Sequence, residues 1–365
     1  MEHKIFFDFA KPKKASQVSP LFSSVVYYKE KTAPWPSVSE NKLRLFALTW
    51  NMGTKNGDGE TLAQLDLARE ADLVIVGTQE SCNTIISSFC CNSKADWLKN
   101  LGVKLGGEHS LVADHSLNAM HMAIFATNSI IDKISDISVT TSHLGFLRLP
   151  NKAMITISFR FEEKILTASN VHLASGKGNH QKRLSDLIRI CKKLARFKTD
   201  FCVLLGDFNF RSQISLAKAK SMLNYSEFDF KSLAGFDEYL SMDYCSAVQK
   251  EIDNVSEFHC FEEAGVPSFP PTYKYIRQNK LLYSDSRLPS HADRIFIIKD
   301  RNFHSTTLSY NIDIKSSCSD HKPVYAQIVL DFARTLDTES SVVLVAERNA
   351  EKERIDPLEY GGSFE

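Results

Sequence analysis

Side chains capable of chemistry stand where several apolar runs of this chain end. Asp207 and Asn209, in the segment GDFNFR, directly follow the run FCVLL. Asn51 closes LRLFALTWN, Glu80 follows LVIVGTQ, and His172 ends KILTASNVH. A single Asn or His at such a place is usually a cap or a turn residue. Because that explanation is weak for the whole set, the pattern predicts one shared site.

Two later apolar runs begin with such residues instead of ending with them. Asp293 opens DRIFII, and Asp320 and His321 precede PVYAQIVLDF. If these strands run antiparallel to the earlier ones, their first residues lie beside the last residues of the others. We therefore expect all of these side chains at one edge of the fold.

Glu80 and Asn51 indicate a cation site built from hard oxygen ligands. Carboxylate and amide oxygens suit Mg²⁺ better than Zn²⁺. The eight cysteines include no C-x-x-C pair, and the neighbours Cys90 and Cys91 suit neither a zinc site nor a disulfide framework. Mg²⁺ is the expected cofactor, and the cysteines are expected to be free thiols in a reducing compartment.

The remaining residue types suit the attack of water on a phosphoryl group. Asp207 could orient and deprotonate the water, and Asp293 could hold His321 as a charged imidazolium. His172, Asn209 and the metal could then stabilise charge that develops on the phosphoryl oxygens. No Ser or Cys nucleophile stands beside a base, so direct attack by water is the simpler mechanism.

The charge balance narrows the choice of partner. The 365 residues carry 44 Lys and Arg against 44 Asp and Glu, so the formal net charge is zero. Proteins that bind bulk DNA or RNA obtain most of their affinity from a net basic surface. We therefore expect no nucleic-acid partner for this chain. A local basic pocket for a small anionic substrate is compatible with this balance.

The chain divides into three parts. Residues 1–40 carry four prolines and lack sustained periodicity, which predicts an N-terminal arm or linker. Residues 41–335 are predicted to form a catalytic domain, and residues 336–365 a tail. No apolar run approaches the ~18–20 residues that cross a bilayer, and the N-terminus lacks the pattern of a signal peptide. We expect a cytoplasmic monomer.

Apolar runs predict the strands of the domain, and an amphipathic repeat predicts its long helix. Strands are expected at 43–51, 73–77, 153–161, 164–172, 201–209, 293–298 and 323–332, and helices at 61–72, 95–102 and 180–197. Several strand pairs have the pattern of hairpins. The expected fold class is therefore α/β, with two packed, mostly antiparallel mixed sheets and helices outside them.

The motifs also resemble those of a known family. WN, QE, NVHLASG, GDFNFR, PPTYKY, RLPSHADRIF and SDHKPV occur in this order between residues 43 and 332. The series closely resembles the inositol polyphosphate 5-phosphatases, within the exonuclease–endonuclease–phosphatase superfamily. The resemblance implies a four-layer α/β sandwich, one Mg²⁺ and removal of the 5-phosphate from inositol head groups.

The resemblance also implies roles for individual residues. Glu80 and Asn51 match the metal end of the family site, and Asp320 matches a residue close to it. Tyr273 and Lys274, in PPTYKY, match contacts of the neighbouring 4-phosphate. The hydrolytic set is matched by His172, Asp207, Asn209, Asp293 and His321.

Four further positions carry weaker implications. Lys152, in PNKAM, matches a lysine near the 1-phosphate. Arg183 matches an arginine of the family, and either a substrate contact or an ion pair with Asp186 or a neighbour would explain it. His291 replaces a family residue and is expected to serve in packing or as an extra phosphate contact. The segment 143–150, HLGFLRLP, could either dip into an anionic membrane or pack on the domain.

Three functions remain open at this point. The first is Mg²⁺-dependent hydrolysis of the 5-phosphate of phosphoinositides, such as phosphatidylinositol 4,5-bisphosphate or 3,4,5-trisphosphate, and of soluble inositol polyphosphates. This enzyme would work in peripheral contact with an anionic membrane. The second is another phosphodiesterase or nuclease of the superfamily, and the third is a non-catalytic phosphoinositide-binding module. The complete set of competent residues favours the first.

Overall fold

The computed structural model covers most of the predicted catalytic domain. It describes residues 28, 32–37, 41–53, 65–81, 93–144, 152–197, 199–223, 230–256, 259–277, 282–284 and 287–335. Most of the predicted arm and the whole predicted tail lie outside these residues, and so do residues 145–150 of the segment proposed to contact a membrane. The three-part division of the chain therefore stays a prediction.

The strands and helices alternate irregularly along the described chain. The strands are β1 (Lys42–Asn51), β2 (Leu73–Gln79), β3 (His109–Leu117), β4 (Met120–Thr127), β5 (Ile134–His143), β6 (Ala153–Phe161), β7 (Lys164–His172), β8 (Phe201–Asp207), β9 (His259–Glu263), β10 (Asp293–Asp300), β11 (Phe303–Ile312) and β12 (Val324–Thr335). The helices are α1 (Leu65–Ala68), α2 (Ser93–Leu105), α3 (His180–Arg196), α4 (Leu216–Leu223), α5 (Phe230–Ala234), α6 (Glu238–Ser241) and α7 (Tyr244–Asp253). No helix in the described part is long and apolar enough to span a bilayer.

The twelve described strands form two six-stranded sheets. The first has the order β11-β12-β1-β2-β4-β3, and the second has the order β5-β6-β7-β8-β10-β9. Each of these sheets contains one parallel pair, β1 with β2 and β7 with β8, and its other pairs are antiparallel. The predicted mixed, mostly antiparallel sheets are confirmed.

The sheets pack face to face, and helices cover their outer faces. Strand β8 illustrates this packing on both faces of a sheet, because all seven of its residues are buried. Phe201, Val203 and Leu205 lie in the core between the sheets. Cys202 and Leu204 lie in a second core against α3 and α7. A strand buried on both faces reads as an uninterrupted apolar run, and the predicted four-layer sandwich is confirmed.

The elements that carry the site begin and end close to the predicted positions. The β6–β7 hairpin has the predicted bounds, and α3 ends one residue before the predicted end. Strand β8 ends at Asp207, two residues before the predicted end. The chain turns there because Asn209 adopts a left-handed backbone conformation with φ 56°.

Candidate active site

The ends of four strands converge at one edge of the sandwich, as the sequence predicts. The parallel pair β1–β2 aligns Asn51 with Gln79, and the parallel pair β7–β8 aligns His172 with Asp207. The antiparallel neighbour β10 begins beside the end of β8, with Asp293 opposite Asp207. The topology therefore brings the predicted residues of both sheets to a common edge.

A hydrogen bond joins the two sheets at this edge. The Asn51 amide on β1 donates from Nδ2 to Oδ2 of Asp207 on β8 at 2.9 Å, and both side chains are buried. The Asn51 Oδ1 accepts from the backbone N–H of Gly53 at 3.0 Å, which fixes the orientation of the amide. The Asp207 carboxylate is thus held from the opposite sheet.

The backbone around Asp207 is tightly constrained. Gly206 has φ 153°, and a Cβ there would lie 2.0 Å from the carbonyl oxygen of Val171 on β7. Only glycine tolerates both that conformation and that approach. After Asp207, the N–H of Asn209 donates to Asp207 Oδ1 at 2.9 Å, and Asn209 Nδ2 donates to the Leu173 carbonyl at 3.1 Å. The segment GDFN is therefore a rigid turn that fixes the carboxylate.

Asp207 is ionised despite its burial. The His172 Nε2 lies 3.3 Å from Asp207 Oδ2. Burial would raise the pKa of Asp207, but the hydrogen bond with His172 and the positive charge of His321 outweigh it and hold this pKa well below its usual range. The site therefore contains a buried carboxylate surrounded by hydrogen-bond donors and positive charge.

His321 and Asp293 form a second buried pair beside Asp207. The His321 Nδ1 donates to Asp293 Oδ2 at 2.8 Å, and the Thr272 hydroxyl donates to the same oxygen at 2.7 Å. Burial alone would lower the pKa of His321, but the Asp293 carboxylate raises it to about 9. The Trp50 indole on β1 donates to the His321 carbonyl at 3.2 Å and positions it from the first sheet. The Asp293 carboxylate therefore favours the imidazolium form of His321 at neutral pH.

The residues expected to hold the metal differ in their surroundings. The Glu80 side chain is 40% exposed, and its Oε1 lies 3.9 Å from His172 Nε2. Asn51 Oδ1 retains a second lone pair beside its bond to Gly53. Asp320 is already paired, because its carboxylate lies 3.1 Å from Arg277 and 3.8 Å from Lys274. Exposed Glu80 and the Asn51 oxygen thus fit a hard cation, while Asp320 is engaged by two side-chain cations.

A different group of metal-ligating residue types is compact enough to be a candidate site. One ligand atom each from Asp207, Asp293 and His321 lies within 4.8 Å of the others. The charged imidazolium of His321, bonded to Asp293, would have to lose its proton before it could bind a metal. The donor chemistry therefore favours the Glu80 side of the site.

Lys152 lies within the site, next to a catalytic candidate. Its Nζ is 2.5 Å from the His172 Nε2. Burial lowers the pKa of Lys152 to about 8, although the carboxylates of Asp207 and Glu80 oppose this shift. In this structure Lys152 therefore contacts a hydrolytic candidate, whereas the family resemblance implies a contact with the 1-phosphate.

The PPTYKY segment covers His321 from one side. The Tyr273 ring centre lies 4.5 Å from that of His321. The Arg211 guanidinium lies 4.6 Å above the Tyr273 ring and donates to Asn209 Oδ1. Arg211 was not among the predicted site residues, and its position in GDFNFR, two residues after Asn209, is the signal that could have identified it. Lys274 is partly exposed at the rim of this cluster.

Arg183 is fully buried and lies behind the site. Its guanidinium forms a two-point ion pair with Glu238 at 2.8 and 2.6 Å. It also donates to the carbonyls of Ala174 and Gly176, in the turn after His172, at 2.9 and 2.7 Å. These contacts support the ion-pair interpretation over a substrate contact, with Glu238 as the partner instead of Asp186.

His291 serves in packing. It is fully buried, its Nε2 lies 2.9 Å from the Phe269 carbonyl, and its ring meets the Phe269 ring edge to face. Burial lowers the pKa of His291 to about 3. A neutral ring enclosed in this way supports the first of the two interpretations of this position.

The family of the chain follows from a match over most of its length. Residues 48–327 match the model of the endonuclease/exonuclease/phosphatase family 2. The chain belongs to this family. Its predicted resemblance to the inositol polyphosphate 5-phosphatases is confirmed by distant relatives at about 26% identity.

Two curated relatives illustrate that resemblance. The phosphatidylinositol polyphosphate 5-phosphatase type IV of Mus musculus is 26% identical over 315 residues, which cover 78% of this chain and 45% of the relative. The phosphatidylinositol 3,4,5-trisphosphate 5-phosphatase 2 of Homo sapiens is 27% identical over 323 residues, which cover 78% of this chain and 24% of the relative. The chain thus spans less than half the length of these relatives.

Solved structures agree on the fold. The inositol polyphosphate 5-phosphatase domain of SPsynaptojanin, in complex with inositol (1,4)-bisphosphate and calcium ion, has a TM-score of 0.67 at 24% identity and covers 86% of this chain and 92% of its own. A Cimex nitrophorin, in a ferrous NO complex, has a TM-score of 0.62 at 18% identity. That match covers 80% of this chain and 100% of the nitrophorin chain. Because one sandwich serves such different proteins, function has to be argued from the side chains.

Proposed function

We propose that this protein is a Mg²⁺-dependent phosphatase that removes the 5-phosphate from inositol head groups by direct attack of water. The observation that carries the proposal is the ionised, buried carboxylate of Asp207, held by Asn51 and His172 beside the His321–Asp293 pair. A fixed anion beside a fixed cation can activate a water and stabilise the phosphoryl charge at the same time.

The chain divides this work between its residues. Asp207 orients the water and takes up its proton as the water oxygen bonds to phosphorus and the bond between phosphorus and the C5 oxygen breaks. The proton is then passed to the C5 oxygen, which leaves as the C5 hydroxyl group. The imidazolium of His321 faces the developing negative charge, and Asp293 keeps it protonated. Asn209, whose Nδ2 and Oδ1 are engaged by Leu173 and Arg211, serves to fix the turn. His172 holds the Asp207 carboxylate in place.

Glu80 and Asn51 would hold the cation. A bound Mg²⁺ would add positive charge to the phosphoryl oxygens, which is what a hard, oxygen-ligated ion supplies in phosphoryl transfer. Asp320 would act near this position through its pairs with Arg277 and Lys274 instead of as a principal ligand.

The substrate class is proposed from the rim of the site and from the relatives. Tyr273 and Lys274 would contact the 4-phosphate, and Lys152 would meet a phosphate of the head group beside His172. The names of the relatives specify phosphatidylinositol polyphosphates, and the SPsynaptojanin domain was solved with an inositol bisphosphate. We propose phosphatidylinositol 4,5-bisphosphate and 3,4,5-trisphosphate as substrates, with soluble inositol polyphosphates as well.

A phosphate-release assay tests the proposal against the alternatives. Wild-type protein is incubated with phosphatidylinositol 4,5-bisphosphate, with inositol 1,4,5-trisphosphate and with abasic duplex DNA, each in Mg²⁺ and in EDTA. We expect phosphate from both inositol substrates in Mg²⁺ alone, and intact DNA. Nicked DNA without phosphate release would indicate a nuclease, and head-group binding without turnover would indicate a non-catalytic module.

A further inference from the structure

A cationic groove lies near the candidate active site, between the end of β5, the start of β6 and the helix α3. Its volume is about 310 Å³. Its lining combines apolar side chains with hydroxyl and basic side chains. It is lined by Thr141, Ser142, His143, Leu144, Met154, Arg189, Ile190 and Lys193.

Two basic side chains of α3, Arg189 and Lys193, line this groove, and a third, Lys182, contacts the backbone of the lining residue Leu144. Lys193 donates to the Ser142 hydroxyl at 2.8 Å, and Lys182 lies 3.4 Å from the Leu144 carbonyl. Arg189 is 58% exposed and pairs with Asp186 at 3.0 Å, and Lys182 lies 3.5 Å from the other oxygen of the same carboxylate. Lys182 and Arg189 thus share one carboxylate, and with Lys193 the basic side chains outnumber it, so this region carries a net positive charge.

Lys193 differs from its neighbour on the helix in a way that points to a ligand. Lys192 is neutralised by Glu251 at 2.7 Å, as is usual for a solvated helix face. Among the described residues Lys193 has no carboxylate within 4.0 Å, and it reaches a hydroxyl group on the opposite wall instead. An ammonium beside a hydroxyl and a guanidinium is the combination that binds phosphate oxygens.

The groove opens at the same end of the second sheet as the active site. His143 on β5 pairs with Ala153 on β6, and the next residue, Met154, pairs with Val171 on β7. Val171 immediately precedes His172. Because neighbouring strands lie about 4.8 Å apart, the groove wall on β5 is roughly 10 Å from the strand that carries His172. A lipid beside the bound substrate could reach it.

We propose that this groove docks the phosphate-bearing head group of a second anionic lipid while the active site holds its substrate. The inference rests on the proposed function, because a lipid substrate brings anionic neighbours to the mouth of the site. Charge complementarity and position favour a membrane lipid as the occupant, since each basic side chain near an anionic bilayer adds attraction to it.

Two double variants test this docking groove in the full chain. Arg189→Gln with Lys193→Gln removes two charges from the groove. The control variant, Lys133→Gln with Arg301→Gln, removes the same amount of charge from outside the groove. Lys133 and Arg301 form exposed ion pairs with Glu162 and Asp253. Lys133 lies at the opposite end of the second sheet from the groove. Both variants are compared with the wild type by sedimentation with phosphatidylcholine vesicles, with and without phosphatidylserine, and by activity on inositol 1,4,5-trisphosphate.

The groove variant is expected to bind the phosphatidylserine vesicles roughly 30-fold less tightly, at about five-fold for each basic side chain. The control variant should stay within about two-fold of wild type, and activity on the soluble substrate should be unchanged in both. Equal loss in both variants, or no loss in the groove variant, would overturn the proposal. Groove-dependent binding of inorganic phosphate in calorimetry, without an effect on vesicles, would also overturn it in favour of a soluble anion.

The proposed function fails separately from the docking groove. Absence of phosphate release from every inositol substrate, with vesicle binding still dependent on Arg189 and Lys193, would remove the function and leave a membrane-docking groove. Normal hydrolysis with vesicle binding independent of both residues would leave the function and remove the groove.

Discussion

Asn51 and Asp207 form a 2.9 Å hydrogen bond between residues that lie on different sheets. The donor belongs to the end of β1 and the acceptor to the end of β8, so the bond exists only when the two sheets are packed together. Asp207 is therefore oriented by the sandwich as a whole. This relationship explains how an edge of the sandwich can hold a buried, ionised carboxylate in one position.

Replacing Asp207 by Asn should remove the group that activates water and keep its shape. We expect kcat to fall by roughly 10²–10⁴-fold, the range for loss of a general base. Thermal unfolding should show an intact fold, because the Asn side chain occupies the same volume. A variant that kept more than about a third of the wild-type kcat would show that Asp207 is not the base.

Replacing Glu80 by Gln should weaken the cation site. A neutral amide is a poorer ligand for a hard cation, so the Mg²⁺ concentration for half-maximal activity should rise by about 10-fold or more. Glu70→Gln is the matched control, because Glu70 is an exposed residue outside the site. Superimposable Mg²⁺ titrations for the Glu80 variant and the control would remove Glu80 from this role.

Activity should decline at alkaline pH as His321 loses its proton. Asp293, Asp207 and Asp320 face this ring with negative charge, and its pKa is raised to about 9. Because the folded pKa exceeds the ordinary value of about 6.5, the ion pair stabilises the fold fully below pH ~6.5 and loses this contribution as the pH rises through 9. Asp293→Asn removes the carboxylate that opposes the effect of burial, so the pKa of His321 should fall. The alkaline limb of the kcat/KM profile should therefore move to lower pH. An unmoved limb would assign it to another group.

Arg183 should matter more for stability than for substrate affinity. Arg183→Ala leaves Glu238 as an unpaired buried charge, which should lower the free energy of unfolding by about 3–5 kcal/mol. Arg189→Ala, an exposed position on the same helix, should cost less than about 1 kcal/mol. Denaturant unfolding of both variants makes the comparison. A stable Arg183 variant with a raised KM would instead support the substrate contact.

Lys274→Ala tests whether Lys274 contacts the 4-phosphate of the substrate. The lost contact is charge-assisted and should cost roughly 1.5–3 kcal/mol in kcat/KM on head groups that carry a 4-phosphate. Head groups without that phosphate should be affected less. Comparable losses on both kinds of head group would mean that Lys274 stabilises the segment through Asp320 and does not contact the substrate.

The sequence predicted the central strands of the fold except the buried β4, and it missed the edge strands. Strands β6, β7 and β8 are buried, and their apolar runs mark them clearly. The edge strand β5, ISDISVTTSH, is exposed along most of its length, so it lacks an apolar pattern and was not predicted. The short helices between Leu216 and Asp253 were missed as well, because few apolar residues mark each one.

The sequence predicted which residues meet but could not give their partners. Residue types at strand ends identified Asp207, Asp293 and His321, since each follows or opens an apolar run. The partner of Arg183 was not predictable, because Glu238 lies 55 residues away on a different helix. Pairing at such separations depends on how layers pack, which local pattern does not encode.

Which phosphate is lost, and where its new oxygen comes from, distinguishes hydrolysis of the 5-phosphate by Asp207-activated water from other reactions of this site. Phosphatidylinositol 4,5-bisphosphate is hydrolysed in ¹⁸O-labelled water with Mg²⁺, by the wild type and by Asp207→Asn, and both products are identified. For the wild type we expect phosphatidylinositol 4-phosphate as the lipid product and one solvent oxygen in the released phosphate, and for the variant we expect almost no reaction. Loss of the 4-phosphate, cleavage of the lipid phosphodiester, or an equal rate in the variant would contradict the proposed function.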